Sequence, residues 1–182
     1  MKIYLFQNYN ERQCSEMFLK QVIIEESGVP YGSIEIERSL HGKPYLKNKP
    51  NLHFNLSHTT DMLAIVIAKD PVGIDVENIA SRNLSVEKIS RIADRFFTPR
   101  EQAYIFKTSG DEIYRFYEIW TKKEAYVKYL GERLIRKVKK IDVLEPRFSN
   151  KIKMIRKGHF IISVCGLNVD EKFSESLDVI MN

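Results

Sequence analysis

Residues 111–131 read DEIYRFYEIWTKKEAYVKYLG, and the rest of the chain is organised around them. Stepped at about 100° per residue, Ile113, Phe116, Tyr117, Trp120 and Val127 fall on one face of a helix. Glu124 falls on that face too, flanked by Lys123 and Lys128. A bare carboxylate in an apolar stripe costs several kcal/mol unless a counter-ion or hydrogen-bond donors compensate it. Glu124 is therefore expected to meet a cationic neighbour. That neighbour is either an Arg or Lys in a buried ion pair, or a cation shared with other acids.

Upstream, Val72–Glu77 (VGIDVE) alternates strictly, which predicts a half-buried strand with Val72, Ile74 and Val76 inward and Asp75 and Glu77 on the polar face. Two residues apart on a strand, those acids stand roughly 6.5 to 7 Å apart at Cα, close enough to share one ion. If Glu124 converges on them, three carboxylates meet. Two unit charges at 4 Å repel by about 4 kcal/mol at an effective dielectric of 20, so such a cluster demands a cation or protonation. Oxygen-only ligands select a hard ion, and Mg²⁺ suits a site that also takes phosphate oxygens. The alternative for Asp75 and Glu77 is a solvated strand face.

Working outward, Lys2–Phe6 reads as a strand and 11–26 as an amphipathic helix ending at Gly28, with a short strand at Ile34 and Ile36. His41–Pro44 is a turn, and 52–56 with 62–69 forms an antiparallel hairpin. Asn78–Asn83 is the candidate boundary between an N-terminal lobe, 1–77, and a C-terminal lobe, 78–182, packed as one unit. Helices are predicted at 84–96 and from Thr98, where Thr98-Pro99-Arg100-Glu101 has the residues of a capping box. A hairpin closes the pattern at 151–155 and 160–165.

With 182 residues and 43% hydrophobic content, the chain can bury a substantial core. The apolar run at Leu63–Ala68 is far shorter than the roughly 20 residues that span a bilayer. No secretory signal pattern opens the sequence, so a soluble cytoplasmic protein is expected. Two cysteines, Cys14 and Cys165, without a Cys/His cluster exclude a disulfide framework and a structural zinc site. The net charge of +5 favours anionic partners, and Arg133–Lys140 (RLIRKVKK) is the densely basic run. That run suits an acidic protein, a phosphate ligand, nucleic acid or simply solvent.

In order along the chain, GKPYL (Gly42–Leu46), FNLSH (Phe54–His58), VGIDVE (Val72–Glu77), RFFTPRE (Arg95–Glu101) and WTKKEAYVK (Trp120–Lys128) resemble the 4′-phosphopantetheinyl transferase superfamily. More narrowly, they resemble its surfactin-synthetase-activating, Sfp-like type. The resemblance implies an α+β fold made as a pseudo-dimer of two similar α/β lobes, with antiparallel or mixed sheets, packed helices and a site in the cleft between lobes. It implies a Mg²⁺ site from Asp75, Glu77 and Glu124 on the pyrophosphate of coenzyme A, with Lys123 and Lys128 on phosphates. Lys43, Ser57 and His58 would hold the nucleotide end and its 3′-phosphate.

The activity implied is transfer of the 4′-phosphopantetheine arm of coenzyme A to a serine of an apo acyl or peptidyl carrier protein, an acidic partner, releasing 3′,5′-ADP. Lys128 would act on the transferred group. Glu101 matches in position a glutamate proposed as the base in some members, and it is equally the last residue of the capping box. A monomer is expected, without nucleic-acid or membrane partners. Two competing readings are a silent relative that binds carrier or coenzyme A without turnover, and a nucleic-acid module working through Arg133–Lys140. Fatty-acid, polyketide, nonribosomal-peptide and lysine-pathway carriers all fit the motifs.

Overall fold

The computed structural model describes residues 1–10, 14–81, 84–131, 138–167 and 169. Strand β1 (Lys2–Tyr9) leads to helix α1 (Ser15–Ser27), which stops at Gly28 because that residue adopts the left-handed conformation, φ 64°. A short hairpin of β2 (Ile36–Arg38) and β3 (Pro44–Leu46) follows, and β3 had no clear signal in the sequence. Next come β4 (His53–Thr59), β5 (Asp61–Ala68) and β6 (Val72–Asn78). Helices α2 (Val86–Phe96), α3 (Pro99–Ile105) and α4 (Glu112–Leu130) precede the hairpin of β7 (Ile152–Lys157) and β8 (Phe160–Gly166). Ser85 caps α2, and Thr98 with Glu101 completes both bonds of the capping box on α3.

Apart from the β2-β3 pair, the described strands form two three-stranded antiparallel sheets with matching topology, in the orders β1-β5-β4 and β6-β8-β7. In each, the first and third strands of the set are neighbours and helix lies between the first and second. The sheets pack face to face over a shared apolar core that includes Ile3, Leu5, Val66, Ile74, Ile162 and Val164. Helix α1 covers the outer face of the first sheet through Leu19, Val22 and Ile23. Helices α2 to α4 cover the second through Ile89, Phe116, Ile119 and Ala125. Among the described residues, no helix is long and apolar enough to cross a membrane.

Two local expectations change. Strand β6 is buried along nearly its whole length, with only Glu77 half-buried, so it does not present a solvated polar face. The cause is tertiary: β6 pairs with β8 on one side, α4 lies across it, and β4 abuts its free edge. The chain thus changes sheets at Asp70–Pro71, ahead of Asn78. Helix α4 is likewise not a single stripe. Arg115, Thr121 and Lys123 are buried along with Phe116, Tyr117 and Val127, whereas Ile113 is 38% exposed. Arg12, Arg82, Asn83, Glu132, most of the basic run (133–137) and most of the tail past Leu167 lie outside the described residues.

The edges of the two sheets meet through side chains. From β4, Asn55 Oδ1 accepts from the Ile74 N–H at 2.9 Å, Ser57 Oγ donates to Asp75 Oδ1 at 2.9 Å, and Thr59 Oγ1 accepts from the Asn78 N–H at 3.4 Å. Positions 55, 57 and 59 share a face of β4 because side chains alternate along a strand.

Gly73 sets how closely α4 approaches. A Cβ at that position would stand 2.1 Å from Ala125 O and 2.4 Å from Tyr129 N, so the helix backbone lies where any side chain would be. Gly73→Ala is therefore expected to destabilise the fold by about 3 kcal/mol through overpacking, measured by denaturant unfolding. A cost below about 1 kcal/mol would show that α4 does not press on β6 this way.

Candidate active site

Seating α4 on Gly73 brings its fourth and fifth turns over the acids of β6. Asp75 is 6% exposed, and its Oδ1 accepts from Ser57 Oγ at 2.9 Å and from Lys128 Nζ at 2.8 Å. Its Oδ2 is buried without a hydrogen-bond partner. Lys128 also donates to Ser57 Oγ at 2.8 Å, which closes a triangle of Ser57, Asp75 and Lys128. Glu124, one turn before Lys128, is half-buried and faces the same cluster. Its carboxyl is pushed up to about 7, by burial first and then by the charge of Asp75, with Glu77 adding to it and Lys128 opposing. Two segments about 50 residues apart in sequence thus place Asp75, Glu77, Glu124 and Lys128 in one electrostatic neighbourhood.

This cluster backs onto a cavity of about 590 Å³. Lys128 is the link, since it touches Asp75 and also lines the cavity. Among the described residues, the wall also carries the basic side chains of Arg38 and Lys43 and the imidazoles of His41 and His58, with Glu16 as its carboxylate. His58 is exposed, with its ring 5.7 Å from that of Tyr9, also on the wall. Arg38 Nη1 donates to Gly42 O at 3.0 Å, so the guanidinium is held beside the Gly42-Lys43-Pro44 turn. Arg38 and His41 carried no motif. Only their nearness to Gly42 in sequence hinted at them. A basic wall with acids behind one of its lysines suits a polyphosphate held by ammonium groups and a cation together.

Two residues expected at the phosphates or at the chemistry are placed elsewhere. Lys123 is 1% exposed; its Nζ pairs with Glu101 Oε2 at 2.7 Å and donates to the carbonyls of Val138, at 2.8 Å, and Ile141. Burial depresses its pKa, and Glu101 opposes that shift. Glu101 is 0% exposed and spends both oxygens: Oε2 also accepts from the Thr98 N–H at 2.8 Å, and Oε1 from the Val143 N–H at 2.9 Å. Helical geometry is the reason, because adjacent positions diverge by about 100° and Glu124 and Lys123 cannot share a target. Lys123 and Glu101 form a node that ties α3 and α4 to the segment 138–143. The capping reading of Glu101 is the one its hydrogen bonds express.

Fold and site describe a two-sheet α+β protein with a basic cavity and a carboxylate cluster at its margin. The model of the 4′-phosphopantetheinyl transferase superfamily matches residues 71–172, and that of the 4′-phosphopantetheinyl transferase N-terminal region matches residues 2–70. The chain belongs to the 4′-phosphopantetheinyl transferase superfamily. Among curated relatives, it is 30% identical over 118 residues to the 4′-phosphopantetheinyl transferase gsp of Aneurinibacillus migulanus, covering 64% of this chain and 46% of the relative. It is 34% identical over 119 residues to 4′-phosphopantetheinyl transferase psf-1 of Bacillus pumilus, covering 64% and 48%. A human relative, L-aminoadipate-semialdehyde dehydrogenase-phosphopantetheinyl transferase, is 30% identical over 126 residues, covering 63% and 40%. The chain spans about half the length of the bacterial relatives it matches.

The raised Glu124 carboxyl has a definite sign. Its folded value lies above the ordinary 4.5, so between about pH 4.5 and 7 the folded chain holds a proton that the unfolded chain has lost. The associated stability is present below the ordinary value and is lost as pH rises through about 7. In metal-free buffer, wild type is expected to lose up to about 3 kcal/mol across that window, and Glu124→Gln to lose less, by urea unfolding. For the buried node, Lys123→Met strands Glu101 and is expected to cost about 3 to 5 kcal/mol. Adding Glu101→Gln should restore part of that loss in a double-mutant cycle.

Proposed function

We propose that this chain transfers the 4′-phosphopantetheine arm of coenzyme A to a serine hydroxyl of an apo acyl or peptidyl carrier protein, releasing 3′,5′-ADP. The observation that carries this reading is the convergence of Asp75 and Lys128 at 2.8 Å, with Glu124 alongside, at the margin of a basic cavity. The cavity volume of about 590 Å³ suits a nucleotide-sized ligand. Membership of the superfamily supports the same chemistry. The pseudo-dimeric reading of the fold draws its support from the matching strand orders of the two sheets.

Among the described residues, no group of three or more His, Cys, Asp or Glu closes on its own into a metal-ligand set. The donor chemistry nevertheless fits Mg²⁺, because Asp75 Oδ2 is buried and unpartnered and Glu124 is destabilised as an anion by burial and then by its acidic neighbours. Asp75, Glu77 and Glu124 would hold the ion. When bound, it supplies neutralisation and polarisation of phosphate oxygens.

The chain's own residues do the rest. Lys128 stands on the cavity wall, where its ammonium can bind a phosphate and stabilise charge that develops on the transferred group. Ser57 orients Lys128 and Asp75 by bonding both. His58 and Arg38 give the cavity further cationic or hydrogen-bonding contacts for the nucleotide end. Glu101 stays outside this scheme, since its carboxylate is sealed and fully bonded. Lys123, committed to Glu101 and two carbonyls, is likewise left out.

The test is incubation with coenzyme A, Mg²⁺ and a panel of apo carriers, read by intact-protein mass. A mass gain of one phosphopantetheine on at least one carrier is expected, as is its loss on chelation and in Asp75→Ala and Glu124→Ala. No gain on any carrier would overturn the proposal, and full activity in both variants would overturn the metal assignment.

A further inference from the structure

Lys43 belongs to the Gly42-Lys43-Pro44 turn and lines the cavity. Its ammonium is directed at protein. Nζ donates to Val72 O at 2.9 Å and to Tyr129 O at 3.0 Å. These two carbonyls belong to the elements that carry the carboxylates. Val72 is the first residue of β6, three before Asp75. Tyr129 lies in the last turn of α4, directly after Lys128.

The helix end makes this a fitted seat. The last carbonyls of a helix have no intrahelical donor, and a cation there satisfies them and meets the negative end of the helix dipole. The C-cap, Gly131, has φ 68°, and a Cβ on it would stand 3.3 Å from Lys43 Cδ, so the lysine stem lies against the cap. Among the described residues, Lys43 has no carboxylate partner. The titratable groups around it are the Cys165 thiol on β8, which burial pushes up to about 12, and His53 on β4. Burial draws Lys43 itself down to about 8. With two of its three N–H donors on backbone carbonyls, little of the ammonium is left for a ligand.

We propose that Lys43 is a positioning residue: it clasps the start of β6 to the end of α4, fixes the spacing of Asp75 from Glu124 and Lys128, and does not bind the 3′-phosphate of coenzyme A. Gly73 holds the same two elements together at mid-contact, and Lys43 locks their ends. The catalytic part of this proposal rests on the transferase reading above, while the clasp does not.

The experiment compares wild type, Lys43→Met and Lys43→Arg with coenzyme A and with 3′-dephospho-coenzyme A. Lys43→Met is expected to lower kcat about tenfold or more with both donors, leaving their ratio of kcat/KM within about twofold of wild type. Lys43→Arg should recover part of the loss. A Lys43→Met effect confined to coenzyme A, seen as a raised KM that erases its advantage over the dephospho form, would overturn the proposal.

Amide hydrogen exchange supplies a readout independent of turnover. Lys43→Met should speed exchange about tenfold or more in the last turn of α4 and at the start of β6, with the rest unchanged. Unchanged exchange there would overturn the clasp. Global unfolding is a poor substitute, because removing a half-buried ammonium also relieves its desolvation. A wild-type chain that transfers nothing would refute the transferase reading, and the exchange data would still decide the clasp.

Discussion

Everything at the candidate site depends on one absent side chain, that of Gly73. The backbone of α4 at Ala125 and Tyr129 occupies the volume where a Cβ would stand, so helix and strand meet at closer range than any other residue permits. That range lets a lysine of the helix, Lys128, reach an aspartate of the strand, Asp75, at 2.8 Å. Gly73, Asp75 and Glu77 occupy alternate positions along β6, so the contact and the acids share one face of the strand. A glycine two positions before an aspartate thus has a mechanical reason that local propensity does not supply.

Around this contact the charges sort into two compartments. In one, Glu101 and Lys123 neutralise each other in a dry node and draw in the backbone of 138–143. In the other, Glu124 lies beside Asp75, Glu77 and Lys128, and burial first, then the charge of Asp75, raises its carboxyl. Neutral, sealed pairs stabilise a local arrangement, whereas titratable groups whose pKa is shifted beside a cavity are candidates for meeting a ligand. Adjacent residues of α4 feed the two compartments separately because a helix turns between them.

Much of this was legible beforehand and some was not, for identifiable reasons. The β4–β5 and β7–β8 hairpins, the left-handed stop at Gly28 and the cap at Thr98 follow from local chemistry, and the sequence carries them openly. For Glu124 the sequence left two outcomes open, an ion pair with an Arg or Lys and a cation shared with Asp75 and Glu77, and the structure sets it beside Asp75, Glu77 and Lys128. The burial of β6 was not, since its cover comes from β8, β4 and α4, none of them adjacent in sequence. Nor was the fate of Lys123, whose partners Val138, Ile141 and Glu101 are chosen by packing. Arg38 and His41 entered the cavity from a hairpin too short to announce itself.

The side-chain stitching of β4 to β6 has a further effect, on self-association. Each of these strands is the rim of its own sheet, and a rim with idle amide groups invites another chain to add a strand. Here Asn55 and Thr59 of β4 consume the amides of Ile74 and Asn78, so the rim of β6 is blunted without the two sheets fusing into a continuous six-stranded one. The surface that joins the two halves therefore also guards β6 against strand addition, and prising the halves apart would unmask its amides.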